Sequence, residues 1–430
     1  MQLLNRRSLL IILISIIAIS VFIAKPNWQI GGDGYGYYSY IRSLHFDCDL
    51  DFYNEFKMFD DTYEAQTLKY WATPIGKAGN PFAIGWSIFY APFFILALIL
   101  AKLFTFSNDF ALSGFNFPYQ LLIGVGTSFY IILGILLLFN TLKRLFSPIS
   151  AWFSSIFTLI ATPLIFYVVY EPSMSHGLSF FILSALFYKS IEIYKKEETN
   201  KKDVILLGLI TGASFLIRWQ NLLFIILPLA ILWLKLAKKR RILSYLGITL
   251  LTILPQFFAW KHLYGSFLTI PQGSEFVSHK LELFNFLFSG YHGLFIWNPI
   301  LFLALIGLIL SYKKDKFLFF ILFMALLGQI LFNANLSDWF GGGSFGSRRM
   351  IGSLFIFAYG ITYLLDLLLK SKFKFKKIYI ILVIFILGLF SLWNYLLMLS
   401  TSRGILPINA PVTIEEVYKA PLKLLIHRKG

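Results

Sequence analysis

The chain has 430 residues, of which 58% are hydrophobic and 19% aromatic, and only 14% are charged; its mean hydropathy is +0.72. Soluble domains run about 45–50% apolar and about 25% charged, so this composition excludes an ordinary soluble domain, and the apolar content excludes a disordered chain. The net charge of +17 does not argue for nucleic acid, because Lys and Arg sit in short clusters between apolar runs, the pattern that orients a membrane protein. The single cysteine, Cys48, excludes an intramolecular disulfide framework and a cysteine zinc site.

The first apolar run, Ser8 to Ala24, follows Arg6 and Arg7. Phe22 spoils the small-x-small pattern of a cleavage site, so an uncleaved helix with a cytoplasmic N-terminus is expected. Further runs lie at 82–104, 119–142, 150–168, 177–193, 204–217, 220–236, 242–260, 298–312, 317–333, 350–369 and 378–400, twelve in all. Most approach the roughly 20 residues that span a bilayer. The runs 204–217 and 220–236 are short and read as two helices joined at a polar tip, Arg218-Trp219-Gln220-Asn221.

Five basic clusters set the expected orientation: Lys143/Arg144, Lys195 to Lys202, Lys235 to Arg241, Lys313 to Lys316 and Lys370 to Lys377. All should be cytoplasmic. They are so only if one segment before Lys143 does not cross. Run 82–104, with Pro81, Gly85 and Pro92, is the candidate for a membrane-apposed or re-entrant helix, an element that survives at membrane depth when buried in protein. The expected fold is an all-α polytopic membrane protein with about eleven transmembrane helices, a long first outer loop at 25–118 and an outer tail at 401–430. The whole of 1–430 reads as one unit. In the tail, Thr413-Ile414-Glu415-Glu416 fits a capping box, and the following residues suggest an amphipathic helix on the membrane surface.

The densest polar information is Gly31-Gly32-Asp33-Gly34-Tyr35-Gly36-Tyr37-Tyr38-Ser39-Tyr40. Glycines admit close approach, and tyrosines such as Tyr37 and Tyr38 suit an interface or a sugar. Asp33 reads either as a functional carboxylate or as the N-cap of the next helix. The other acids of this loop, among them Asp49, Asp51 and Glu55, read as facing water. Asp47 to Asp51 only superficially resembles a calcium loop, because the turn glycine and terminal Glu are missing. Arg218 interrupts an apolar hairpin, where it is costly without an anion or a wet cavity. Arg348 and Arg349 follow a glycine-rich loop and read as phosphate forks or as interfacial anchors. Glu171 and His176 share a short outer loop, as site residues or as a cap and a hydrogen-bonded imidazole. With an Asp they suggest a divalent cation, but the ligand set is incomplete. His262, His279 and His292 lie in the 261–297 loop without informative spacing.

The first helix, Gly32-Asp33-Gly34 with Tyr37-Tyr38, the segments Tyr40 to Leu44 and Asp49 to Phe52, Glu171 to His176, Arg218 to Asn221, and Trp339 to Arg349 together resemble the GT-C glycosyltransferase superfamily, in particular protein O-mannosyltransferases and lipid A aminoarabinose transferases. The resemblance implies transfer of a sugar from a polyprenyl-phosphate donor to a glycan, lipid or protein acceptor, at the outer face of a membrane. It places the catalytic carboxylate on Asp33 and a second acid in the loop of Glu171. Many members carry adjacent acids at the first position, where this chain has Gly34. A good phosphate leaving group asks for one base and nearby cations, and direct attack would invert the anomeric centre. A transporter or flippase is the rival reading. It would be expected to carry ionisable groups mid-span and inverted repeats, and neither is evident. A polymerase or ligase with its site in a late loop is a third.

Overall fold

The computed structural model describes residues 5–26, 28–104, 113–235, 239–278, 280–370 and 376–426; His279 and the loop stretch 105–112 lie outside them. The chain folds into α1 (Arg6–Ala24), α2 (Asp33–Arg42), α3 (Tyr53–Tyr63), α4 (Thr67–Tyr70), α5 (Gly85–Phe104), α6 (Phe117–Leu145), α7 (Pro148–Ile160), α8 (Leu164–Val169), α9 (His176–Lys195), α10 (Lys201–Ile217), α11 (Ile226–Lys235) and α12 (Lys239–Tyr264). Then follow α13 (Leu283–Phe288), α14 (Leu294–Trp297), α15 (Ile300–Leu310), α16 (Lys316–Ala334), α17 (Leu354–Lys370), α18 (Lys376–Ser402) and α19 (Ile414–Ile426). The only pairing outside helices among the described residues is two isolated bridges, Ala72 with Ala78 and Val277 with Leu336.

Eight of these helices are long and apolar enough to cross a membrane, α5 among them. Four expected crossings fall short of that length. They are α7, which stops at Ala161 before Pro163, then α10, the segment Trp219–Lys235, and Ile300–Lys313. The chain is an integral membrane protein, with the expected helical fold.

The basic clusters gather at one end of the bundle. The Ser147 amide donates to Asp366 at 2.8 Å, Tyr194 to Asp315 at 3.0 Å and Lys235 to the Lys196 carbonyl at 3.0 Å, while Lys189 pairs with Asp203 at 2.6 Å. The opposite end receives the C-terminus of α1, since Trp28 donates to the Val169 carbonyl at 2.7 Å. The Trp28 ring also packs on Gly124, leaving no space for a Cβ there. Segment 25–118 therefore starts and finishes at this second end. Within it, α5 runs beside the first half of α6, with Tyr90 bonded to Thr127 at 2.5 Å and the Phe94 ring tilted against that of Tyr119 at 5.3 Å. Length and composition make α5 a candidate span, so the expectation that it does not cross stays a proposal.

The predicted polar tip is present. Helix α10 ends at Arg218 in extended conformation, and a 3-10 turn, Trp219–Ile225, leads into α11. The predicted capping box also forms, with the Thr413 amide bonded to Glu416 at 2.7 Å and the Glu416 amide to Thr413 at 3.2 Å.

Candidate functional site

Helix α2 is capped by Gly32, at φ 53°, without any side-chain cap. Asp33 is the first helical residue, so the N-cap alternative for its carboxylate falls away. A negative charge in the first turn also suits the helix dipole. Gly34 has a separate task, since a Cβ there would stand 2.1 Å from Ser173 Oγ. The glycine lets α2 press directly on the 171–176 loop.

Asp33 opens into a cavity of about 370 Å³ lined by Tyr37, Tyr70, Trp71, Phe82, Arg218, Trp219, Gln220, Gln272, Phe276, Asp338, Arg348 and Arg349. Five chain segments that are far apart in sequence meet here. Arg348 Nη2 lies 3.0 Å from Asp33 Oδ2. Arg349 makes the same kind of pair with Asp338 and donates to its carbonyl at 2.7 Å. Consecutive arginines thus clamp aspartates from opposite ends of the chain. Arg218 is bonded only to uncharged groups, Ser175 Oγ at 3.1 Å, His176 Nδ1 at 3.3 Å and Gln220 Oε1 at 3.2 Å. Burial pushes its pKa down, and the Arg348 and Arg349 guanidiniums push the same way. No carboxylate among the described residues pairs with it, so it is the cavity's uncompensated cation, and an anion would relieve it.

Tyr37, Asp33, Arg218, Arg348 and Arg349 are thus brought together as expected. Glu171 and His176 stand behind them. Glu171 Oε2 and His176 Nε2 are buried without a hydrogen-bond partner among the described residues. Burial raises the Glu171 carboxyl to about 7, against the opposing pull of Arg348. Tyr38 does not belong to the cavity. One helical residue turns the side chain by about 100°, and its hydroxyl bonds the Gly114 carbonyl while its ring packs on Trp86 and Phe115. Glu55 is not a water-facing acid either. It is 1% exposed and pairs with Arg42 at 2.7 Å. Asp49 and Asp51 stay on the surface, Asp49 accepting from Ser43 at 2.7 Å.

Among the described residues no three His, Cys, Asp or Glu side chains cluster, and the Asp33 carboxylate already has a cation, Arg348, against it. Asp338, Gln272 and the aromatic wall carry no sequence signal of their own. Their place depends on how two outer loops pair.

No family model and no curated protein matches the chain. Solved structures do. Over 97% of its length the chain is similar to ArnT from Cupriavidus metallidurans in the apo state, with TM-score 0.53, 12% identity and 74% of that protein covered. It is also similar to the apo oligosaccharyltransferase of Archaeoglobus fulgidus, with TM-score 0.50 and 10% identity, over 95% of this chain and 56% of that one. At such identities the likeness is one of fold: the chain shares the fold of ArnT and of that oligosaccharyltransferase.

Proposed function

We propose that the protein is a membrane glycosyltransferase that moves a sugar from a polyprenyl-phosphate donor to an acceptor hydroxyl. The observation that carries this reading is the cavity in which one partly exposed carboxylate, Asp33, faces an uncompensated guanidinium, Arg218. Residues 1–430 act as one such unit, in a bacterial inner membrane with the cavity on the outer face, opposite the basic clusters. The acceptor oxygen attacks the anomeric carbon and its proton passes to the Asp33 carboxylate. The bond from that carbon to the phosphate oxygen breaks, and polyprenyl phosphate leaves with its charge met by Arg218. The anomeric centre inverts. Arg348 aims the carboxylate, and Tyr37 lines the approach.

The test incubates the purified protein in lipid nanodiscs with radiolabelled polyprenyl-phosphate sugars and a membrane extract. A labelled product lost in Asp33→Asn supports the reading. Translocation of lipid-linked saccharide in vesicles, with no transfer, would overturn it in favour of a flippase.

A further inference from the structure

Two residues that line the cavity each hold an acceptor atom without a donor. Gln272 Oε1 and Asp338 Oδ1 are buried without a hydrogen-bond partner among the described residues. Their sister atoms are committed. Gln272 Nε2 donates to the Pro81 carbonyl at 2.9 Å, which also settles the orientation of the amide, and Asp338 Oδ2 takes Arg349. Leaving buried acceptors unsatisfied costs about 1–3 kcal/mol each, so each calls for a donor that the described residues do not supply. The two residues come from different loops that are fastened together. The Ser278 amide donates to the Asn335 carbonyl at 2.8 Å and the Ser337 amide to the Phe276 carbonyl at 3.0 Å. Trp71, Trp219 and Phe276 line the same cavity.

We propose that Gln272 and Asp338 form a subsite for the hydroxyl groups of an uncharged sugar ring, with the indoles covering its C–H faces. Hydroxyls supply the missing donors, and aromatic surface suits the apolar face of the ring. Arg349 is neutralised by Asp338, so this wall offers nothing to a second anion. The inference rests on the transferase reading. The ring belongs either to the donor or to a glycan acceptor, and the experiment separates the two.

Binding is followed by tryptophan fluorescence of the full chain in nanodiscs. The probes are methyl glycosides of glucose, mannose, galactose and N-acetylglucosamine, undecaprenyl phosphate, and undecaprenyl phosphate bearing each sugar. Gln272→Met should weaken a sugar-bearing probe about tenfold, the worth of one good hydrogen bond, and leave undecaprenyl phosphate at its wild-type Kd. A loss on the lipid-linked sugar assigns the ring to the donor; a loss confined to the methyl glycosides assigns it to the acceptor. If Gln272→Met also weakens undecaprenyl phosphate, Asp338→Asn decides, because it keeps the side-chain shape and places a donor where the orphan acceptor was. Wild-type sugar affinity in the deciding variant overturns the proposal. So does a wild-type protein that binds undecaprenyl phosphate but none of the sugars. Sugar binding without transfer would sink the transferase and leave this subsite standing.

Discussion

Arg348 holds Asp33 at 3.0 Å while the adjacent Arg349 holds Asp338, so two neighbouring residues tie the first outer loop and a late one to the same cavity. Asp33→Asn removes the proton acceptor and keeps the shape. General-base catalysis is worth about 10²–10⁴-fold, so turnover should fall by that much with donor affinity nearly unchanged. Steady-state kinetics beside a donor Kd decide it; a wild-type turnover in this variant ends the catalytic assignment of Asp33.

Arg218 is the cation without a carboxylate. Arg218→Met should raise the Kd for polyprenyl phosphate about 10–100-fold, the worth of a charge-assisted hydrogen bond or two. Thermal unfolding of the same sample reports on the lost bonds to Ser175 and Gln220. An unchanged Kd would return Arg218 to a packing role.

Gly34 is a contact surface. Gly34→Ala should displace α2 from the 171–176 loop and lower turnover, because the new Cβ would meet Ser173 Oγ at 2.1 Å. Ser173→Gly in the same chain should recover much of the activity. Failure of that double variant to recover, with a folded protein, would assign the lesion to something other than this clash.

Glu171 sets a pH dependence. Burial lifts its carboxyl from 4.5 to about 7. The folded state then binds more protons than the unfolded chain between those values, so stability falls as pH rises through that window. Wild type should melt lower at about pH 8 than at about pH 5, and Glu171→Gln should reduce the difference without abolishing it, because burial raises the Glu55 carboxyl to about 7 as well. An equal slope in both proteins would show that Glu171 does not carry it.

Cys48 is exposed in the segment 25–118, which the proposed topology puts outside. A membrane-impermeant maleimide should label it from outside intact spheroplasts. Lys143→Cys, in a Cys48→Ser background, should label only after lysis. Labelling at both positions before lysis would put α5 across the membrane, and the reverse pattern would invert the topology with α5 still uncrossed.

The helical bundle is legible because it follows from the lengths of the apolar runs, which report on the bilayer and not on tertiary contacts. Arg218 and Asp33 stood out for a similar reason, each being a charge in an apolar or glycine-rich setting. Tyr38 was misjudged because two adjacent tyrosines on a helix face different neighbours. Glu55 was misjudged because its partner, Arg42, lies thirteen residues away on another helix. Gln272 and Asp338 were invisible, since a polar residue in a loop gains meaning only from the loop that pairs with it.

The bridge between Val277 and Leu336 joins the segments 261–297 and 334–349. Gln272 and Phe276 lie in one of them, Asp338 and Arg349 in the other. A displacement of either segment is therefore passed to the other through the bonds of this bridge, and Gln272, Asp338 and Arg349 share one placement.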